Sequence, residues 1–492
     1  MAVRGVVAAG HPVTAEAGAA LLRAGGNAVD AALAALLASC MAEPLLTGLG
    51  AGGCMLVAPP GAPPRLLDFM VAAPGIGADP QLRAPLADVD VDFGDALQRF
   101  HVGASSCGVP GVPAGVAEAA RRYARLPLER LAAPAVACAR EGVRVNRQQA
   151  YVWELLEGIV RSTPEAAARY LVDGERIPRE GDVLRDDELA DGLELLGAEG
   201  AAPFYGGRVG RALAAWLGER GGTLTTADLD AYAVVAREPL RVGYRGRSVL
   251  LNPPPSAGGI LIAYSLALLE RGGEPPTPAQ VAAAIEAAQA ERTPAFVAGL
   301  AEPGFVEAFT ASRLGSTTHV SVLDADGWAC AVTTTNGEGS GVVVPGTGLH
   351  VNNMMGEADL SPLGWFTHPA GRRLPTMMAP TVVLDAAGAP ELVLGSAGSN
   401  RIRSAVLQVI VNALDAGMDA QAAVDAPRLH VEDGVLYVEP GVDAAALDGG
   451  DRTLAPFRER NLFFGGCQAV ERRAGRLAGG GDPRRGGAVV AV

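Results

Sequence analysis

The chain is predicted to be an α+β protein on three observations. Helical periodicity fills most of the stretch up to about Arg313, short β-rich runs dominate beyond Ser316, and strand–helix–strand alternation is scarce. Helices and strands that segregate in this way layer against one another instead of interleaving as βαβ units. Length alone, at 492 residues, suggests about three domains. No Ser/Gly-rich spacer, heptad or fixed repeat divides them, so one large body is expected. Apolar residues at 49%, against 19% charged, are ample for its core.

The first element in order is a helical pair from Thr14 to about Met41. Thr14 reads as an N-cap, Gly25-Gly26 stops the first helix, and Ala28-Val29-Asp30 opens the second. Gly48-Leu49-Gly50-Ala51-Gly52-Gly53 has GxGxxG form, but a helix precedes it and strand-like Cys54-Met55-Leu56-Val57 follows. That context is wrong for dinucleotide binding, and glycines that let backbones pack closely account for the run. A mostly helical block covers about 103–235, headed by Gly108-Val109-Pro110-Gly111-Val112-Pro113 and closed by Gly221-Gly222 and the turn Thr226-Ala227-Asp228-Leu229. Strand-like residues Leu240 to Leu251 come next, then Pro253 to Gly259 and helix to about 313. Beyond that, β-runs are predicted at 318–324, 328–335, 380–385, 391–395, 434–439, 467–471 and 487–492, with one helix near 400–417.

Composition excludes several classes of function. Net charge is −14, every one of the 40 basic residues is Arg, and basic residues adjoin at most in pairs such as Arg484-Arg485. An acidic chain of this kind is not expected to bind nucleic acid. No apolar run of about 18 residues occurs, so no membrane span is expected. The first residues lack the charged start and apolar core of a signal peptide, and a cytoplasmic location is expected. Cys40, Cys54, Cys107, Cys138, Cys330 and Cys467 are scattered without CxxC spacing and read as reduced, buried thiols. His11, His101, His350, His368 and His430 show no HxxEH or HExxH spacing, so no metal and no cofactor are proposed. Asp324-Ala325-Asp326-Gly327 resembles the start of a calcium loop but lacks the rest of it, and reads as a hairpin turn.

The most informative segment is Ser316-Thr317-Thr318-His319-Val320-Ser321-Val322-Leu323-Asp324, followed after the turn by a β-run ending Thr333-Thr334-Thr335-Asn336. A small residue stands before a Thr that opens a strand, and hydroxyls return opposite it on the partner strand. This suits a threonine that cuts its own chain and then acts as an N-terminal nucleophile, with its freed α-amine as general base. An α-amine titrates near pH ~7.7–8 in model compounds, so it can take the hydroxyl proton near neutrality without a histidine. His319, two residues on, shares a strand face with Thr317, and a structural hydrogen-bonding role is expected for it.

These residues resemble the start of the small subunit in the gamma-glutamyltransferase family of N-terminal nucleophile hydrolases. Gly25 to Ala32, Glu43-Pro44, the glycine run at 48–53, Gly108 to Gly115, Pro254 to Gly259 and Asp482 to Gly487 are similar to the family in order and spacing. The resemblance covers nearly the whole chain. It implies the four-layer αββα sandwich of that superfamily and cleavage between Ser316 and Thr317. The products would be residues 1–316 and 317–492, each the other's partner in a heterodimer. It also implies a small-molecule amide or peptide substrate, whose acyl group passes through Thr317 to water or an amine.

By the same resemblance, Thr335 is the second threonine that holds the nucleophile. Gly398 and Ser399, in Gly395-Ser396-Ala397-Gly398-Ser399-Asn400, stand where the family has two glycines of an oxyanion hole. A backbone amide tolerates Ser, so little loss is expected there. Asn336, Asn353 and Glu357 are candidate substrate contacts. Recognition of a glutamate acyl group fares worse. Met70 takes the place of the family's carboxylate-gripping Arg, Thr376 and Met377 replace two carboxylate-binding serines, and Met354 replaces one amine partner. Met offers no fork of donors. Either Met70, Met354 and Met377 line an apolar acyl pocket or they pack a core. The lid is expected at 361–372, with Trp365 and Phe366 as gate or surface residues. The chain is therefore read as a self-processing hydrolase or acyltransferase, with two alternatives: an acylase for a non-glutamyl acyl group, or an unprocessed ligand-binding homologue.

Overall fold

The computed structural model describes residues 3–92, 97–291, 317–357, 360–361, 364–443, 447 and 452–492. Thirteen strands build its two main sheets. In chain order they are β1 (Gly5–Ala9), β2 (Gly52–Ala58), β3 (Arg65–Phe69), β4 (Val235–Arg237), β5 (Leu240–Tyr244), β6 (Arg247–Leu251), β7 (Thr318–Asp324), β8 (Ala329–Thr335), β9 (Thr381–Leu384), β10 (Pro390–Ala397), β11 (Gly466–Arg473), β12 (Arg476–Gly480) and β13 (Ala488–Ala491). The first sheet runs β13-β1-β7-β8-β2-β3-β4 and the second β12-β11-β10-β9-β6-β5, with antiparallel pairing throughout.

Strand alternation decides the layering, because successive side chains leave opposite faces of a sheet. In β1, Val7 and Ala9 pack with the helices, while Val6 and Ala8 join a cluster between the sheets. In β7, Val320 and Val322 face the helices and Leu323 faces inward. The second sheet divides likewise: Val382, Val393 and Val470 point to the first sheet, and Val249, Val383 and Leu394 to helices on the far side. Helices α1 (Pro12–Arg23) and α2 (Ala28–Ala42) cover the first sheet; α3 (Ala257–Glu270), α4 (Pro278–Ala290) and α5 (Arg401–Leu414) cover the second. The result is helix–sheet–sheet–helix, the four-layer αββα sandwich that the resemblance implies.

Helix α2 is buried along all 15 of its residues, between α1, the helix Leu128–Glu141 and the sheet. Its Ala-rich sequence lets neighbours approach on every side. The first cap differs from the sequence reading, while the second helix opens at Ala28 as expected. Helix α1 starts at Pro12, pre-set for a first helical position, and His11 caps it by accepting from the Val13 amide at 3.2 Å. Thr14 lies inside the helix, buried, with its hydroxyl 3.4 Å from the Glu43 carboxylate. Helix α2 is capped by Asn27, whose side chain accepts from Val29 and Asp30 while Asp30 accepts in return from the Asn27 amide at 2.8 Å.

The predicted β-runs beyond Ser316 match β7, β8, β9, β10, β11, β13 and Val435–Val438, and the predicted helix matches α5. Strand β1 was not foreseen, and the helix expected to run to about 313 is α3 and α4, its remainder at 292–316 lying outside the described residues. Among the described residues no helix is long and apolar enough to cross a membrane.

The C-terminal turn is held by a buried ion network. Arg484 donates to Glu439 at 2.8 Å and pairs with Asp482 at 3.2 Å, while Arg428 pairs with the other Asp482 oxygen at 2.7 Å. Burial alone would push the Asp482 carboxyl up, but Arg428 and Arg484 hold it below its ordinary range. Removing one member leaves charges buried without a counter-ion. Arg484→Ala should therefore lower unfolding free energy by about 3–5 kcal/mol, measured by denaturant titration.

Candidate active site

Antiparallel register brings the two threonines together. Thr318 lies opposite Thr334 and His319 opposite Thr333; the same count carries Thr317 opposite Thr335. The neighbours show which way each points. The Thr318 hydroxyl donates to Glu43 at the end of α2, at 2.8 Å, and the Thr334 hydroxyl sits 2.8 Å from that of Thr47. Both therefore face the helices. Thr317 and Thr335 face the space between the sheets, and both are buried. The Thr335 oxygen accepts from the Gly337 amide at 2.8 Å.

His319 shares that inward face but is spent on structure. Its ring nitrogens lie 2.7 Å from the Thr333 hydroxyl and 2.9 Å from that of Ser321, which itself donates to the Gln468 carbonyl at 3.1 Å. The ring fills space left by Gly395 of β10, where a Cβ would fall 2.2 Å from its Cε1. Burial lowers its pKa to about 3, so the ring is neutral. It ties the two sheets together.

The loop between β10 and α5 carries Gly398 and Ser399, with φ of 121° and 58°. The first two amides of α5 donate back into this loop, Arg401 to the Gly398 carbonyl at 3.0 Å and Ile402 to the Ser399 carbonyl at 3.1 Å, which fixes the loop against the helix start. Gly398 has a second constraint, since a Cβ there would stand 2.5 Å from the Gly465 Cα. Ser399 adds a backbone constraint to the same loop. Its amide is retained, but a left-handed backbone in a residue with a Cβ stores on the order of 1 kcal/mol of strain or more.

Asn336, Asn353 and Glu357 gather around one loop. A Cβ on Gly337 would lie 2.0 Å from the Asn353 Oδ1 and 2.3 Å from the Glu357 Oε1. Asn353 accepts from the Glu338 amide at 3.0 Å. Asn336 is buried, and among the described residues neither its side-chain oxygen nor its nitrogen has a hydrogen-bond partner.

The methionines divide. Met70 and Met354 share the cluster between the sheets, with Met355 and Met378. Met377 does not join them, which corrects the expectation of a three-methionine lining. Successive residues of the extended 376–378 segment point opposite ways, so Met377 packs with α3 on the far side of the second sheet. The Thr376 hydroxyl accepts from the Met378 amide at 3.1 Å, and its carbonyl accepts from Ser256 and the first amide of α3. The Met70 carbonyl accepts from Tyr232 at 2.8 Å and Arg373 at 2.9 Å. Arg373 also lies over the Tyr232 ring and near Asp68, so its charge is directed behind Met70. Of the lid residues, Trp365 packs edge-on to His101 at 4.5 Å and Phe366 lies under Arg83 at 4.1 Å; residues 362–363 lie outside the described residues. Ser316, the residue before the expected cut, lies outside them too.

Glu43 and Arg485, which the sequence marks only as parts of motifs, both stand at this site. A charged residue closing a helix that carries no charge after Asp30, as Glu43 does, was the available signal. Among the described residues no group of three or more His, Cys, Asp or Glu side chains is placed to hold a metal ion.

Comparison with known proteins agrees with this geometry. The sequence profile of the gamma-glutamyltranspeptidase family matches residues 14–293 and 277–492. The chain is 35% identical over 477 residues to the acylase ACY 1 proenzyme of Pseudomonas sp. (strain SE83), covering 90% of this chain and 85% of that one. It is 30% identical over 481 residues to the glutathione hydrolase proenzyme of Escherichia coli (strain K12), covering 87% and 81%. Its fold is similar to the crystal structure of cephalosporin acylase from Bacillus halodurans, with a TM-score of 0.84 and 27% identity over 99% of this chain and 96% of that one.

Proposed function

Since the chain belongs to the gamma-glutamyltranspeptidase family, and is thereby an enzyme of the N-terminal nucleophile class, we propose that it is an acylase for amides whose acyl group is not glutamyl. The observation that carries this reading is Met70. The position expected to hold a carboxylate-gripping Arg is an apolar side chain, packed between the sheets with Met354 and Met378. The nearby Arg373 is engaged by the Met70 and Asp68 carbonyls. The similarity to two acylases supports the same choice.

In this proposal maturation comes first. The Thr317 hydroxyl attacks the Ser316 carbonyl carbon, the peptide bond rearranges to an ester, and water cleaves the ester. Ser316 leaves as a carboxylate, and the Thr317 α-amine is free. The products are the 1–316 and 317–492 subunits. In turnover the Thr317 oxygen attacks the substrate carbonyl and its proton passes to that amine. The amides of Gly398 and Ser399 face the oxyanion, and Thr335 orients the hydroxyl. The amine returns its proton to the leaving nitrogen, and water then releases the acyl group. A gamma-glutamyl donor keeps one partner for its α-amine, Glu357 beside Gly337, but lacks the guanidinium for its carboxylate.

Losing a charge-assisted pair costs about 1.5–3 kcal/mol, one to two decades of affinity. Purified enzyme should therefore hydrolyse an aliphatic acyl p-nitroanilide with kcat/KM at least about tenfold above that for gamma-glutamyl-p-nitroanilide. Equal or faster turnover of the gamma-glutamyl compound would overturn the acylase reading and leave a glutamyl hydrolase.

A further inference from the structure

Glu43 is a carboxylate where a helix tolerates one least. It is the residue immediately after α2, at the negative end of the helix dipole, and only 3% exposed. Such placement costs stability unless specific partners offset it. Three elements supply them. Thr318 of β7 donates to one carboxylate oxygen at 2.8 Å, and Thr14 of α1 approaches the other at 3.4 Å. Arg485, from the turn after β12, provides the opposite charge. Gly10, where β1 ends, makes room, since a Cβ there would sit 2.6 Å from the Glu43 Oε2. Cys40, one turn back on α2, is a further titratable neighbour, its thiol pushed up to about 12 by burial. Behind Arg485 stand Arg401, Asp482 and Glu338.

The residue this carboxylate grips is the one after Thr317. We infer that Glu43 is a positioning residue of the site: it fixes the Thr317–Thr318 step through the Thr318 hydroxyl, and its carboxylate sets the charge around the α-amine that cleavage frees. The inference rests on Thr317 being the nucleophile. Its electrostatic consequence has a definite sign. The amine must be neutral to accept a proton, and a nearby carboxylate favours the ammonium form, so it holds the amine's pKa up. Burial, partly offset by Thr318, Arg485 and Thr14, places Glu43's own titration at about 7, within the working range.

Glu43→Gln keeps an acceptor for Thr318 and removes the charge. It should still cleave itself, with the acid limb of its kcat/KM profile moved to lower pH by on the order of one unit. Thr318→Val removes the hydroxyl link and keeps the charge, and should slow self-cleavage about tenfold, read on a denaturing gel. An unshifted acid limb in Glu43→Gln would overturn the electrostatic role, whatever its melting temperature, since a structural acceptor alone does not move a pH profile. Parent-rate cleavage by Thr318→Val would overturn the positioning role and stays readable if Glu43→Gln does not fold. Thr317→Ala, run alongside, separates this from failure of the nucleophile assignment: if that variant is cut and active, the premise falls, whereas an inert Thr317→Ala with an unchanged Glu43→Gln removes the inference alone.

Discussion

Thr317→Ala is expected to remain a single chain of 50.1 kDa and to lose activity by on the order of 10⁴-fold or more. The parent should instead give pieces of roughly 32 and 18 kDa, the smaller beginning Thr-Thr-His-Val, since a freed N-terminus is the proposed base. One hydroxyl serves both steps in this reading, so one substitution removes both. The surroundings offer no substitute. His319, the nearest imidazole on the same face, has its nitrogens at Thr333 and Ser321 and a pKa lowered to about 3 by burial. Thr317→Ser keeps both groups and should be cut. An intact parent after long incubation would favour the unprocessed ligand-binding alternative, and a cut, active Thr317→Ala would overturn the mechanism.

Gly398→Ala should cost about 10²–10³ in kcat, because in the proposed mechanism it displaces an oxyanion donor worth about 2.7–4 kcal/mol. The added methyl stands 2.5 Å from the Gly465 Cα, and backbone atoms cannot rotate away as a side chain can. The φ of 121° is also one that residues with a Cβ rarely adopt. The loop must move, and the amides at the head of α5 move with it. Self-cleavage should be checked first on a gel, so that kcat is measured on the processed form. Ser399→Gly is the informative contrast. It keeps the amide and relieves the left-handed strain at φ 58°, so it should raise stability by about 1 kcal/mol with activity retained. A Gly398→Ala enzyme with parent kcat would remove this loop from the mechanism.

The hairpin was legible because its information is local. Alternating Thr, Val and Ser around an Asp-Gly turn set the strands β7 and β8, and with them the register that opposes Thr317 to Thr335. The helix start after Gly398 was legible for the same reason. Strand β1 was not: GVVAA is a short apolar run whose neighbours in the sheet, β7 and β13, lie more than 300 residues away. The cap of α1 falls at His11, three residues before the expected Thr14, where several candidates compete and side-chain geometry chooses among them, whereas α2 opens at Ala28 as its sequence predicts.

The amino-acid order by itself determined the nucleophile candidate, its partner threonine, the glycine turn ahead of α5 and the absence of a guanidinium at Met70. Each depends on residue identity or on spacing within one or two turns of chain. Only the tertiary structure decided which way each group faces. It sent Thr317 and Thr335 between the sheets and Thr318 toward α2, turned Met377 outward while Met378 turned in, and closed Glu43 on Thr318 across 275 residues. Those outcomes follow from the stacking of two sheets between helices, where every side chain must take one of two faces and the packing partner, distant in sequence, settles which.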